Sequence, residues 1–400
     1  MSAPPKWPLS DPGEAYLVRH FVQKLAVWLD LCDPNRSFEY EVPERARSYP
    51  ILLNAILALS ARHLAETGAP EYEQCALHYN EACLKDLRNN LGCGWSEEVF
   101  AAAIILQVVA EMDCPADGEY RSIKDGHLCG IHSFVKQGNL TPGTLAAASF
   151  WVGLRQEIYR AVMVGRMVKL NLEHPLVDRS PLDEMPAKDY YAWANRAVVH
   201  CADVLNFCYS LESMEATEWN KHQKRRWLEL HSWNCEWEEK KPTSFNPCHK
   251  GRGAGPFQAI WYLRSCQVIG IQHHLLAKLF LLDRGLEKGA PIPDNGYPVD
   301  ERIRDIVRQI CGIGLGNQWT APSMFTACMA IAAFGEKYFS ALSHHSELRA
   351  MLKILCDTQR DHGRSTKEVQ TKLGNIVGWS DEGRLQNLKA EPNIPYKCEA

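Results

Sequence analysis

Between its proline- and glycine-rich loops this chain repeats apolar residues at helical spacing almost without interruption, and no segment alternates convincingly as a half-buried strand would. Residues 14–31, EAYLVRHFVQKLAVWLDL, place Leu17, Phe21, Leu25, Trp28 and Leu29 on one face and stop before Asp33-Pro34, because the residue before proline disfavours the helix. Residues 50–66, PILLNAILALSARHLAE, open on a proline at a plausible first helical position and are apolar nearly all round, as a central helix would be. The same spacing predicts helices over 70–91, 96–112, 122–137, 145–170, 189–212, 217–239, 256–284, 299–315, 321–342 and 345–362. Loops rich in Pro and Gly separate them, notably 172–188, 240–255 and 285–298.

The expected fold class is therefore all-α. At 400 residues, one large or two closely packed helical units are expected. We read the chain as a leader over 1–13, a helical body over 14–380 forming a single large multi-helix bundle, and an irregular tail over 381–400. The longest uncharged stretch, Gln309 to Gly335, holds Asn317, Gln318 and Pro322 and is too weakly apolar for a membrane span.

Composition excludes several function classes. A net charge of −4 argues against a surface built to neutralise phosphates. The fifteen cysteines never form a C-x-x-C pair and no Cys/His cluster has zinc-finger spacing, so reduced thiols in an intracellular compartment, nucleus or cytoplasm, are expected. GIGLGN (312–317) and GRGAGP (251–256) lack the preceding strand and the spacing of a phosphate loop, and read as helix end and loop. H-E-x-x-H, G-x-S-x-G, a P-loop and an Asp-rich magnesium motif are all absent, so neither a metal nor another cofactor is expected. The basic run KHQKRR (221–226) reads as a solvated helix face, with nuclear import or phosphate contact as the alternative.

A family resemblance appears from residue 50 onward. PILLNAILALSARHLAETG and YEQCALHYNEACLKDLRNNL, followed in order by AAAIILQVVAEMD, DGHLCGIHSFV, ASFWVGLRQEIYRAV, WANRAVVHCADVLNFCY, PTSFNP and GNQWTAPSMFTACMAIAAFGEKY, resemble the fungal-specific transcription factor domain in its second, larger sequence family. The resemblance covers roughly residues 14–380 and implies a helical regulatory domain. Members usually carry an N-terminal six-cysteine zinc cluster that contacts DNA; here the first cysteine is Cys32, within the helical body, so no direct nucleic-acid contact is expected.

Twelve tryptophans are many. Trp151, Trp193, Trp219, Trp227, Trp233, Trp237, Trp261 and Trp319 fall on or beside helices that should face the interior, either as core filler or as the lining of an apolar ligand cavity. The ligand-binding candidates are Trp151, Arg155, Trp261, Tyr262, His274 and Trp319. Ionisable residues inside apolar helices, Glu111, His200, Asp203 and His274, are the candidates for acid–base chemistry, against mutual satisfaction in the core. Arg155 with Glu157 belongs to the same class.

The adjacent pair His273 and His274 cannot share one metal, because neighbours point about 100° apart on a helix. At most one of them, His274 by alignment with the resembled family, is expected to face an interior cavity, on a long central helix that also carries Trp261 and Tyr262.

Two functions fit. The first is a regulatory domain that binds an apolar metabolite or a full-length transcription factor and modulates a pathway. The second is a metal-free enzyme that folds a terpenoid or polyketide for cyclisation, where holding reacting atoms together can contribute on the order of 7–11 kcal/mol.

Overall fold

The residues with the least freedom are those of PILLNAILALSARHLAE, and in the computed structural model they form helix α4, Pro50–Glu66. The structure describes residues 7–90, 95–112, 140–210, 219–253, 255–293 and 296–378. Every residue of α4 from Ala55 to His63 is buried, so this apolar-all-round helix is the axis of its surroundings. Contacts divide the chain into two compact units, described in turn.

The first unit comprises residues 1–156, 169–177 and 359–365. The predicted helix over 14–31 is realised as α1 (Pro12–His20), a π-helical turn (Phe21–Leu25) and α2 (Ala26–Leu29), with Leu17, Phe21, Leu25 and Leu29 buried. Asp11 caps α1 by accepting from the Gly13 N–H at 2.7 Å, and Pro12 follows as the first helical residue. Helix α3 (Ser37–Arg45) was not expected. Its start is held by two carboxylates: Asp30 accepts from the Phe38 and Glu39 N–H groups at 2.9 and 2.8 Å, and Asp33 from Ser37 at 2.8 Å. Helices α5 (Glu73–Asn90) and α6 (Glu97–Met112) pack against α4. Helix α7 (Leu145–Val164) contributes its first turns, where Gly153 faces Ile104 of α6.

The second unit comprises residues 157–168, 178–358 and 366–400. Its largest helix pair is α8 (Tyr190–Ser210) with the element we label α10 (Ser265–Glu287), separated in sequence by α9 (Lys221–Lys240). Gly270 permits that close packing: a Cβ there would sit 3.0 Å from Ala194 Cα. Helices α11 (Val299–Gly316) and α12 (Pro322–Phe339) form the other main pair, followed by α13 (His345–His362) and α14 (Lys367–Val377).

The all-α reading holds, with one exception among the described residues. The predicted helix over 256–284 begins only at Ser265, and ahead of it lies an antiparallel hairpin, β1 (His249–Gly251) with β2 (Ala259–Trp261), in register His249 to Trp261 and Gly251 to Ala259. Gln267 fixes the switch: its Oε1 accepts from the Leu263 and Arg264 N–H groups, at 3.2 and 3.1 Å, which caps α10 at that point. Trp261 therefore belongs to a strand and Tyr262 to the turn after it, not to the long helix. The predicted helix over 122–137 lies outside the described residues. No helix among the described residues is long and apolar enough to cross a membrane.

Candidate functional site

Within the second unit, α9 lays a stripe of aromatic rings across α8 and α10. Trp233 stacks on His200 of α8 with ring centroids 4.1 Å apart, and one turn further Trp237 stacks on His274 of α10 at 4.6 Å. Trp237 is fully buried, meets Trp193 and Phe245, and donates its indole N–H to the Trp193 carbonyl at 3.3 Å.

His274 is enclosed by polar partners from α9. Its Nε2 lies 2.6 Å from Glu238 Oε2, while Asn234 Nδ2 lies 3.3 Å from its Nδ1 and 3.3 Å from its backbone carbonyl. Asn234 donates, so Nδ1 accepts and Nε2 carries the proton that it gives to Glu238. The hydrogen bond from His274 holds Glu238 well below the usual carboxylate range, with Lys278 and Lys241 adding to it. Burial lowers the His274 pKa against the pull of Glu238, so the pair is a neutral imidazole on an ionised carboxylate. Both ring nitrogens are engaged, and His274 has no lone pair left for a substrate.

His273 is buried too, at 3% exposure against 1% for His274. Helix α10 is covered nearly all round, and His273 Nδ1 reaches the Ile269 carbonyl at 2.9 Å.

His200 differs. It is 3% exposed, burial pushes its pKa well down, and its Nε2 makes no hydrogen bond. A neutral imidazole nitrogen with no partner, against a tryptophan face, can accept or donate one hydrogen bond to a guest. Asp203, one turn on, is instead bidentate with Arg179. Of the remaining candidates in this unit, Tyr262 is buried and Trp261 half-buried against His249. Trp319 is 56% exposed, contrary to the expectation of an interior ring, because it stands in the turn between α11 and α12.

The first unit holds Glu111, Trp151 and Arg155. Glu111 is a buried ion partner of Arg364. Arg155 donates to the Leu29 carbonyl at 2.7 Å, so it anchors α2. Trp151 is half-buried.

This unit also contains a cluster that sequence reasoning missed. His20 and His63 approach to 3.1 Å between Nε2 and Nδ1, and Trp28 meets His63 and His362 edge-on at 5.2 and 5.5 Å. His20 and His63 stand 43 residues apart, and no spacing rule could have paired them. Burial lowers all three histidines: His63 to about 3, helped by His20, His362 and Lys24, and His362 to about 4, with Arg364 and Arg360 acting against Asp361. No group of three or more metal-ligating side chains is assembled among the described residues.

These depressed values make stability pH-dependent. The native state binds fewer protons than the unfolded chain, so the contribution is complete above about pH 6.5 and is lost as the pH falls through about 4 and then 3. Asp30 acts in the opposite sense. Burial raises it to about 7, against the two N–H groups it accepts, so its contribution is full below its unfolded value and is lost as the pH rises to about 7. Between those limits His63→Gln is expected to flatten the fall in urea midpoint on acidification, and Asp30→Asn to steepen it. Parallel slopes in both variants would refute the assignment.

No curated protein and no solved structure matches the chain. The family model of the fungal specific transcription factor domain does match it, over residues 16–148, about a third of the chain running from α1 into α7.

Proposed function

We propose that the chain is a regulatory domain of the transcription-factor kind, which binds an apolar small molecule such as a fungal secondary metabolite and adjusts the output of that pathway. The observation that carries the regulatory part is the family match over residues 16–148, which supports a regulatory role. The ligand part draws on His200, whose buried Nε2 makes no hydrogen bond and whose ring stacks on Trp233, so it offers one polar handle beside an indole face. Its place of work is then the nucleus or the cytoplasm, and a full-length transcription factor is a partner through which it would act.

Cyclisation by a metal-free enzyme is the competing reading, and no observation favours it. Glu111, Asp203 and His274 are each engaged by a charged or polar neighbour. Deleting the gene is expected to change transcript levels of a biosynthetic pathway. Unchanged transcripts with accumulation of an uncyclised intermediate would sink the regulatory reading, as would turnover of that intermediate by purified protein.

A further inference from the structure

The sequence carries 48 acidic residues, yet none falls in the stretch from Lys240 to Ser265 or in that from Ile306 to Gly335. The fold brings these two stretches together. Asn317 Oδ1 accepts from the Tyr262 N–H at 2.9 Å, Asn317 Nδ2 donates to the Ile260 carbonyl at 2.8 Å, and Ser265 Oγ meets Thr320 Oγ1 at 3.1 Å. Residues 260–265 thus run beside 317–320. That register sets Leu263 and Trp319, 74% and 56% exposed, on neighbouring segments between those bonds.

Cations lie on the adjoining segments. Lys250 and Arg252 on the hairpin are exposed, and Arg264 follows Leu263 in the chain with its guanidinium 5.2 Å from the Tyr190 ring centre. The N-terminal ends of α10 at Ser265 and of α12 at Pro322 open at the same place and add positive potential. Two carboxylates act on the ends of this segment, Glu238 on Tyr262 and Asp189 on Cys266, and each is held by a hydrogen bond, Glu238 on His274 and Asp189 on the Ala192 N–H. An exposed tryptophan and leucine with cations on the adjoining hairpin and helix start, on a chain of net charge −4, have the composition of a binding surface and not of a solubilising one.

We propose that this surface docks an acidic polypeptide segment of a partner protein, with apolar side chains seated on Trp319 and Leu263 and carboxylates on Lys250, Arg252 and Arg264. A peptide fits better than a nucleic acid, because Leu263 offers no stacking face and three cations, Lys250, Arg252 and Arg264, are too few for a track along a phosphate backbone. The proposal stands on the second unit alone and does not depend on the regulatory reading.

The test uses the full chain and a fluorescent synthetic peptide of about 15 residues, Glu and Asp on one helical face and Leu and Phe on the other. Saturable binding is expected, weakening as salt shortens the Debye length from about 10 Å to about 3 Å. Lys250→Glu with Arg252→Glu, and separately Trp319→Ala with Leu263→Ser, are each expected to raise Kd by roughly tenfold or more while circular dichroism stays unchanged. If charge reversal disturbs the hairpin, Lys250→Gln with Arg252→Gln replaces it, with a smaller loss expected. Four results would overturn the proposal: no saturable binding, unchanged affinity in either pair of variants, equal binding of the peptide with Lys at every acidic position, or tighter binding of a single-stranded oligonucleotide.

Discussion

Arg364→Met is expected to lower the unfolding free energy by about 3–5 kcal/mol, a large part of the roughly 5–15 kcal/mol that holds a domain together. The reason is the carboxylate it would leave behind. Glu111 lies near the end of α6 with its side chain 1% exposed, and Arg364, 6% exposed, is its charged partner. Removing the cation takes a charged partner from a buried anion, and the desolvation that the pair shared falls more heavily on the carboxylate. The double variant Glu111→Gln, Arg364→Met is expected to recover much of the loss, because an amide costs far less to bury than a carboxylate. Urea unfolding of the two single variants and the double variant measures this directly. Additive losses would show that the two side chains do not act as a pair.

The second large effect runs against a common expectation. Glycine to alanine inside a helix normally stabilises, by up to about 1 kcal/mol. At Gly312, in the penultimate turn of α11, the same change is expected to destabilise by about 1–3 kcal/mol or more. A Cβ there would lie 2.2 Å from the Gln258 carbonyl oxygen and 3.3 Å from its carbon. Both contacts are with backbone, so neither can be relieved by a side-chain rotation. The hairpin and α11 would have to part. A thermal midpoint equal to or above that of the parent would mean that the two backbones do not approach so closely.

Gly312 also shows what was legible in the sequence. GIGLGN reads correctly as no phosphate loop, but its reason for being glycine depends on a carbonyl from the hairpin that no local pattern reveals. Helices α4, α6, α8, α10 and α12 were readable because apolar periodicity over many residues leaves no alternative. Helix α3 was missed because it is short, carries Pro43 inside it, and owes its start to Asp30 and Asp33 upstream. Three-residue strands are too short to show an alternation, so β2 was absorbed into the helix that follows.

The site was less legible than the fold. His274 could be picked out as a histidine in an apolar run, and a satisfied core histidine was among its readings. Its partner Glu238 lies 36 residues away on a helix rich in charge, one acid among several. Residue type and helical setting alone single out Asp203, Trp319 and Arg155. Their actual partners, Arg179, solvent and the Leu29 carbonyl, are set by tertiary neighbours.

The pairing of Glu111 with Arg364 bears on how this chain can be divided. The family match ends at residue 148, a natural place to cut. Yet the unit that contains the match draws in residues 359–365, which bring His362 to Trp28 and Arg364 to Glu111. A fragment ending near residue 148 would keep the acid and lose the base, and would expose the indole edge that His362 covers. The matched span and the compact unit have different boundaries here. A fragment meant to stand for the matched region needs the short return segment supplied, either in the same polypeptide or as an added peptide.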